Sequence, residues 1–85
     1  MGSPMEQRVK DILEAEFPGI KVDTEVMSSR RIFGSVVWDG FEGLDHVDRQ
    51  TKIRTALREK LGEDATKVGV LLAYTSAELK AMNAA

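Results

Sequence analysis

The side chains able to do chemistry are few, and their kinds limit that chemistry more than their spacing does. The chain holds no cysteine and one histidine, His46. Without thiols there can be no disulfide, thiolate nucleophile, structural zinc finger or self-held iron–sulfur cluster. With one imidazole, no His–His metal pair can form within one chain. Carboxylates alone could hold magnesium or calcium, but no loop carries oxygen ligands at regular spacing. Acyl transfer would need a serine and a carboxylate gathered around His46. Ser3, Ser28, Ser29, Ser35 and Ser76 follow no nucleophile-elbow pattern. Glu63 and Asp64 are adjacent, but beside Gly62 they read as a hydrated loop with ordinary acidity. The inventory predicts a non-enzyme with no resident cofactor and no metal.

What remains is charge. One helical pattern carries Arg49, Lys52, Arg54, Arg58 and Lys60, and Lys67 follows it. At ~100° per residue these do not form one stripe. Arg54 and Arg58 share one flank, and Arg49 and Lys52 lie on the other. Asp48 opposes Lys52 in sign at helical spacing, which suits a solvated surface. Two readings stay open: a plain charged exterior, or a patch facing a protein partner or nucleic acid. Twelve Lys and Arg against 14 Asp and Glu leave a net charge of −2, with a pI near 5.3. A dedicated nucleic-acid domain more often has a pI above ~9, so any contact with nucleic acid is expected to be weak. Gly40-Phe-Glu-Gly43 spells the G-x-x-G loop with which KH domains clamp phosphates. Here it follows a strand and carries Glu42 near Asp39. The alternative is a structural turn, with Gly40 and Gly43 at unusual backbone angles and Phe41 plugged into the core. His46 reads as a surface residue and Trp38 as packed against the sheet.

The elements that position these residues can be read from periodicity. Eighty-five residues, 42% hydrophobic and 31% charged, fit a single globular domain over 1–85. No apolar run nears the ~20 residues that span a bilayer. No signal peptide is evident, and the absence of cysteine suits a reducing cytosol. Ser3-Pro4-Met5-Glu6 reads as a capping box, although Met1 to Pro4 also reads as a cloning remnant. Met5, Val9, Ile12, Leu13 and Phe17 then make an apolar stripe, predicting a helix over 4–16 that Pro18-Gly19 ends. Residues 20–26 alternate as a half-buried strand whose polar side is Lys21, Asp23 and Glu25. After the short turn at Ser28-Ser29-Arg30, residues 32–38 form a second, antiparallel strand. Asp45 caps a helix running to about Leu61, with Val47, Ile53, Ala56, Leu57 and Leu61 inward and Gly62 at its end. Residues 68–74 make a third strand, parallel to the second across that helix. Thr75-Ser-Ala-Glu78 opens a short last helix carrying Leu79 and Met82. The fold class is α+β in the order α-β-β-α-β-α: a three-stranded mixed sheet with helices on one face.

That order, with its joint residues, resembles the BolA-like family, whose fold is similar to class II KH domains. The likeness runs from about Met5 to Leu79. Val36-Val-Trp-Asp-Gly-Phe-Glu-Gly43 is similar to the family's strand, aspartate and Phe-x-Gly turn. Val47-Asp-Arg-Gln-Thr-Lys-Ile53 stands where the family has an Arg-His-Arg/Lys helix start, and Leu72-Ala-Tyr-Thr-Ser-Ala-Glu-Leu79 where it has a strand, Thr-Pro-Glu-Glu and a Trp. The resemblance implies a stress-linked or transcriptional regulator, or a partner of monothiol glutaredoxins in iron–sulfur handling. Its departures are specific. Gln50 replaces the helix-motif His, with Arg49 kept. Lys67 replaces the C-terminal His, the family's usual cluster ligand. Met27-Ser-Ser-Arg30 carries no Cys or His where a second ligand would stand. A protonated ammonium has no lone pair for iron. The resemblance therefore implies an adaptor or regulator that lends a cluster no ligand, with a glutaredoxin as protein partner; a monomer, or a weak homodimer paired through the exposed sheet face, is expected. Nucleic-acid binding through the second helix is the alternative. The candidate contact residues are Arg49, Lys52, Arg54, Arg58 and Lys67.

Overall fold

Apolar residues three and four apart, bounded by Pro18-Gly19, make Pro4–Glu16 a helix, α1. It buries Val9 and Leu13 completely and Phe17 almost so. The computed structural model describes residues 4–28 and 30–83. The proposed Ser3 cap lies outside them; Glu6, its expected partner, accepts from the Thr24 hydroxyl at 2.9 Å.

The strands are β1 (Lys21–Val26), β2 (Ile32–Val37) and β3 (Val68–Tyr74), ordered β1-β2-β3 in one sheet. β1 and β2 pair antiparallel, from Lys21 opposite Val37 to Val26 opposite Ile32. β2 and β3 pair parallel, from Ile32 opposite Val68 to Val37 opposite Tyr74, with a register shift between Ile32 and Gly34. The mixed sheet is the predicted one, with β1 and β2 each a residue shorter. Lys21, Asp23 and Glu25 face water, whereas Val22 and Thr24 are half-buried.

A 3-10 turn (Asp39–Phe41) leads into α2 (His46–Leu61), and a second 3-10 segment (Gly62–Lys67) returns the chain to β3. The Asp45 carboxylate caps α2 by accepting the Asp48 N–H at 2.8 Å, and the Gly62 N–H closes it on the Arg58 carbonyl. The core lies between α1, α2 and one sheet face. Leu13, Ile53 and Leu57 pack there with Ile32, Val36 and Leu71. The last helix, α3 (Ser76–Asn83), buries no side chain, and Met82 is exposed.

One expected core residue is wrong. Val47 is 72% exposed, while Arg49 is only 4% exposed. The reason is phase: Arg49 lies four residues before Ile53 and eight before Leu57, on the inward face of α2, and Val47 is more than half a turn away.

The β1–β2 turn closes with the Met27 N–H on the Arg31 carbonyl at 2.9 Å and the Arg30 N–H on the Met27 carbonyl at 2.8 Å. Arg30 takes a left-handed φ of 65°, which costs an L-residue roughly 1–2 kcal/mol. Arg30→Gly should remove that strain and return part of the gain as unfolded-chain entropy. A net stabilisation of about 0.5–1 kcal/mol is expected, visible as a higher urea midpoint at unchanged slope.

Candidate functional site

The helix that carries most of the candidate cations divides them among three surroundings. Arg49 is directed inward. Its Nε donates to the Leu44 carbonyl at 2.9 Å and its Nη1 to the Ala73 carbonyl at 3.1 Å. Nη1 and Nη2 grip Glu78 in a fork, at 2.6 Å to Oε1 and 3.0 Å to Oε2. The guanidinium carbon lies 5.8 Å from the centre of the Phe41 ring. This burial, at 4% exposure, leaves Arg49 off the surface on which the sequence reading placed it as a candidate contact residue. A guanidinium in that position is a tie between elements.

Glu78 also closes the predicted capping box. Its Oε1 accepts the Thr75 N–H at 2.9 Å, and its own N–H donates to the Thr75 hydroxyl at 3.2 Å. The Arg49 bonds, helped by the Thr75 N–H, hold the Glu78 carboxyl down at about 2 from an ordinary 4.5. Glu78 in turn raises the Arg49 pKa. Beside them, Asp39 Oδ1 accepts the Ser76 N–H at 2.9 Å, which lowers the Asp39 pKa.

Gln50 was missed as a structural residue. Tyr74 turns its carbonyl toward β2, accepting the Trp38 N–H at 2.9 Å. By strand alternation the Leu71 and Ala73 carbonyls point to the free edge of the sheet. Gln50 Nε2 donates to Leu71 at 2.7 Å, and Arg49 takes Ala73. Adjacent polar residues on an otherwise inward helix flank were the available signal.

Arg54 and Arg58 stand one turn apart on the β3 flank of α2. With Arg31 they line a groove of about 340 Å³ between α2 and β3. Lys52 lies on the other flank, in a shallow depression shared with Glu16 and Glu59 between α1 and α2. Lys60 and His46 are exposed. Lys67 is a further, separate position. Its side chain is 60% exposed and its Nζ is 3.4 Å from Asp64, which also meets Arg8 at 3.7 Å. Exposed pairs of this kind contribute ~0–1 kcal/mol.

The Gly40–Gly43 segment is a turn anchored by Phe41, with Gly40, Glu42 and Gly43 exposed. Phe41 is fully buried. Trp38 meets Phe17 and Phe41 edge-on at 5.0 and 5.1 Å, and its indole N–H donates to the Pro18 carbonyl at 2.9 Å. Gly43 has the unusual angle expected, φ 85°. Gly40 does not: it is glycine because the Trp38 ring lies where a Cβ would stand.

A cluster of the kind the resemblance implies finds no donors here. The described turn residues Met27, Ser28 and Arg30 bring neither thiol nor imidazole, and Lys67 brings an ammonium held by a carboxylate. Among the described residues no three His, Asp or Glu side chains gather as a metal site. The residues do not fit a cluster ligand set.

No family model matches the sequence, and neither does a curated relative. Solved structures do match the fold. BolA1 from Arabidopsis thaliana superposes with a TM-score of 0.75 at 22% identity, over 89% of this chain and 96% of that one. The BolA domain of SufE1 from Arabidopsis thaliana gives 0.73 at 23%, over 92% and 99%. A Bol-like protein from Babesia bovis gives 0.60 at 20%, over 98% and 95%. The chain has the BolA-like fold. Identity this low speaks for architecture, and the BolA-like shape expected from the residues at the joints is the one found. No described helix of the BolA-like chain is long and apolar enough to cross a membrane.

Arg49→Ala should cost about 2–3 kcal/mol, because it strands the buried Ala73 carbonyl and frees α3. Chemical denaturation measures the loss, and amide exchange in residues 76–83 should accelerate most. A second expectation concerns acid. Glu78 has a folded pKa of about 2, below its ordinary 4.5, so its contribution is present above the upper value and lost as pH falls toward the lower one. In Glu78→Gln the urea midpoint should fall less steeply than in the parent over that window.

Proposed function

We propose that this BolA-like domain is a non-enzymatic adaptor or regulator that works by protein–protein contact in redox and stress pathways linked to iron–sulfur handling. Its partner in this reading is a monothiol glutaredoxin, on which it docks without giving the cluster a ligand. The observation that carries the reading is the superposition over nearly the whole chain on BolA1 and on the BolA domain of SufE1. The second of these is itself a domain of another protein, which suits a module that acts through what it is joined to. The ligand-poor turn and the Lys67–Asp64 pair support docking without ligation.

The nucleic-acid reading loses ground by comparison. It draws on the basic residues of α2, and one of them, Arg49, is committed to Glu78 and two carbonyls. Phosphate neutralisation by the remaining exposed cations would be weak, sequence-independent and steep in salt.

Titration calorimetry with a cluster-free monothiol glutaredoxin tests docking alone. Absorbance and circular dichroism of the cluster-loaded mixture test ligation. The parent is expected to bind and leave the cluster spectrum unchanged. Lys67→His replaces an exposed ammonium with an imidazole able to coordinate, at a stability cost under ~0.5 kcal/mol. That variant should fold as the parent does and shift the spectrum. A parent that shifts it equally overturns the reading of Lys67, and absence of docking overturns the glutaredoxin partnership.

A further inference from the structure

The groove between α2 and β3, about 340 Å³, is amphipathic in its chemistry. Its floor is built from Ile53 and Leu57 of α2 with Leu71 of β3, and Val70 at its rim is 52% exposed. Around that floor stand Arg31, Arg54 and Arg58. None of the three forms an ion pair among the described residues, where the carboxylate partners serve Arg8, Arg49 and Lys67 instead. Three guanidinium groups around one apolar trough, in a domain of net charge −2, leave a local positive field without an internal counter-charge.

The strand beside the groove is an edge strand. Gln50 and Arg49 cap its edge at Leu71 and Ala73, so α2 closes the end of β3 near α3. The other end, Val68 to Val70, borders the groove and has β2 on its inner side but no described strand on its outer side. An extended chain can lie along that stretch with alternate side chains directed to the floor and to the rim. Carboxylates on the rim side match the guanidinium fork.

We infer that this groove docks a short acidic, aliphatic segment of a protein partner, laid in extended form along the Val68–Val70 edge with its carboxylates on Arg54, Arg58 and Arg31. The inference rests on the protein-contact reading above and names the kind of segment that contact would use. A peptide is favoured over single-stranded nucleic acid because the groove offers no open stacking surface. Phe33, its one aromatic residue, is half-buried and has its ring packed over Gly69.

The test is fluorescence anisotropy on the whole chain, with a fluorescein-labelled peptide of alternating Glu and Leu. Its counterparts are a Lys–Leu peptide and a labelled oligothymidylate. The acidic peptide should bind and the basic one should not. Arg54→Ala with Arg58→Ala should weaken binding by about tenfold or more. Both sites are exposed on a helix and alanine suits helices, so the circular dichroism spectrum should be kept. Lys52→Ala, on the far flank, should bind as the parent does. The inference is overturned if the double variant binds as tightly as the parent, or if oligothymidylate binds more tightly than the peptide. It is also overturned if the peptide fails to bind while the glutaredoxin still docks, which leaves the adaptor reading intact. Arginine-dependent peptide binding without glutaredoxin docking has the opposite meaning: the groove stands and the glutaredoxin partnership falls.

Discussion

One buried guanidinium holds three parts of this chain together. Arg49 belongs to α2, yet its donors reach the turn before that helix, the edge of β3 and the start of α3. Burying a charge is costly unless it is paired and hydrogen-bonded. Here the fork on Glu78 supplies the pair, and two backbone carbonyls use further donors. The dependence is greatest for α3, which buries no side chain of its own. Its position follows from the Thr75–Glu78 box, the Asp39 bond to Ser76 and the grip of Arg49. Remove the guanidinium and the last helix retains its caps but little to hold it against the sheet.

The same stretch of α2 settles how the sheet ends. An edge strand presents unpaired carbonyls and amides that invite pairing with another chain. Gln50 and Arg49 occupy the outward carbonyls of Leu71 and Ala73, so side chains do the work that a fourth strand would otherwise do. That cover stops short of Val68–Val70, and there the groove opens with Arg31, Arg54 and Arg58 about it. A single helix therefore serves as core wall through Ile53 and Leu57, as edge cover through Arg49 and Gln50, and as charged rim through Arg54 and Arg58.

Shape and ligand chemistry separate cleanly in this protein. The backbone superposes on BolA structures over nine-tenths of the chain or close to it. Such likeness needs only the apolar pattern, the caps and the turn residues. Cluster ligation needs particular lone pairs, and at the positions where the resemblance implies them stand Lys67 and a turn without thiol or imidazole, while Gln50 stands at the helix-motif position. Gln50 does have a task, but it is a hydrogen bond to a strand carbonyl. A fold tolerates substitution at an exposed rim position that iron chemistry does not, because an exposed side chain contributes little to stability.

Elements whose signal is local were legible in the residues alone. The Asp45 cap, the Thr75–Glu78 box, the alternation of β1 and the apolar stripe of α1 each follow from contacts within a few positions, and so does the element order. What the residues did not reveal depends on partners far away in the chain. Arg49 looks like any other helix cation until Ala73 and Glu78, 24 and 29 positions later, meet it in a dry place. Val47 looks like core until the phase of α2 against the sheet turns it to water. Gly40 looks like a backbone-angle glycine until the Trp38 ring lies on it. Arg31 joins Arg54 and Arg58 only because β2 and β3 lie parallel with α2 packed beside them. Periodicity reports which faces a helix has, but which face meets which neighbour is decided by tertiary packing, where a charge can be worth burying if its bonds are all made.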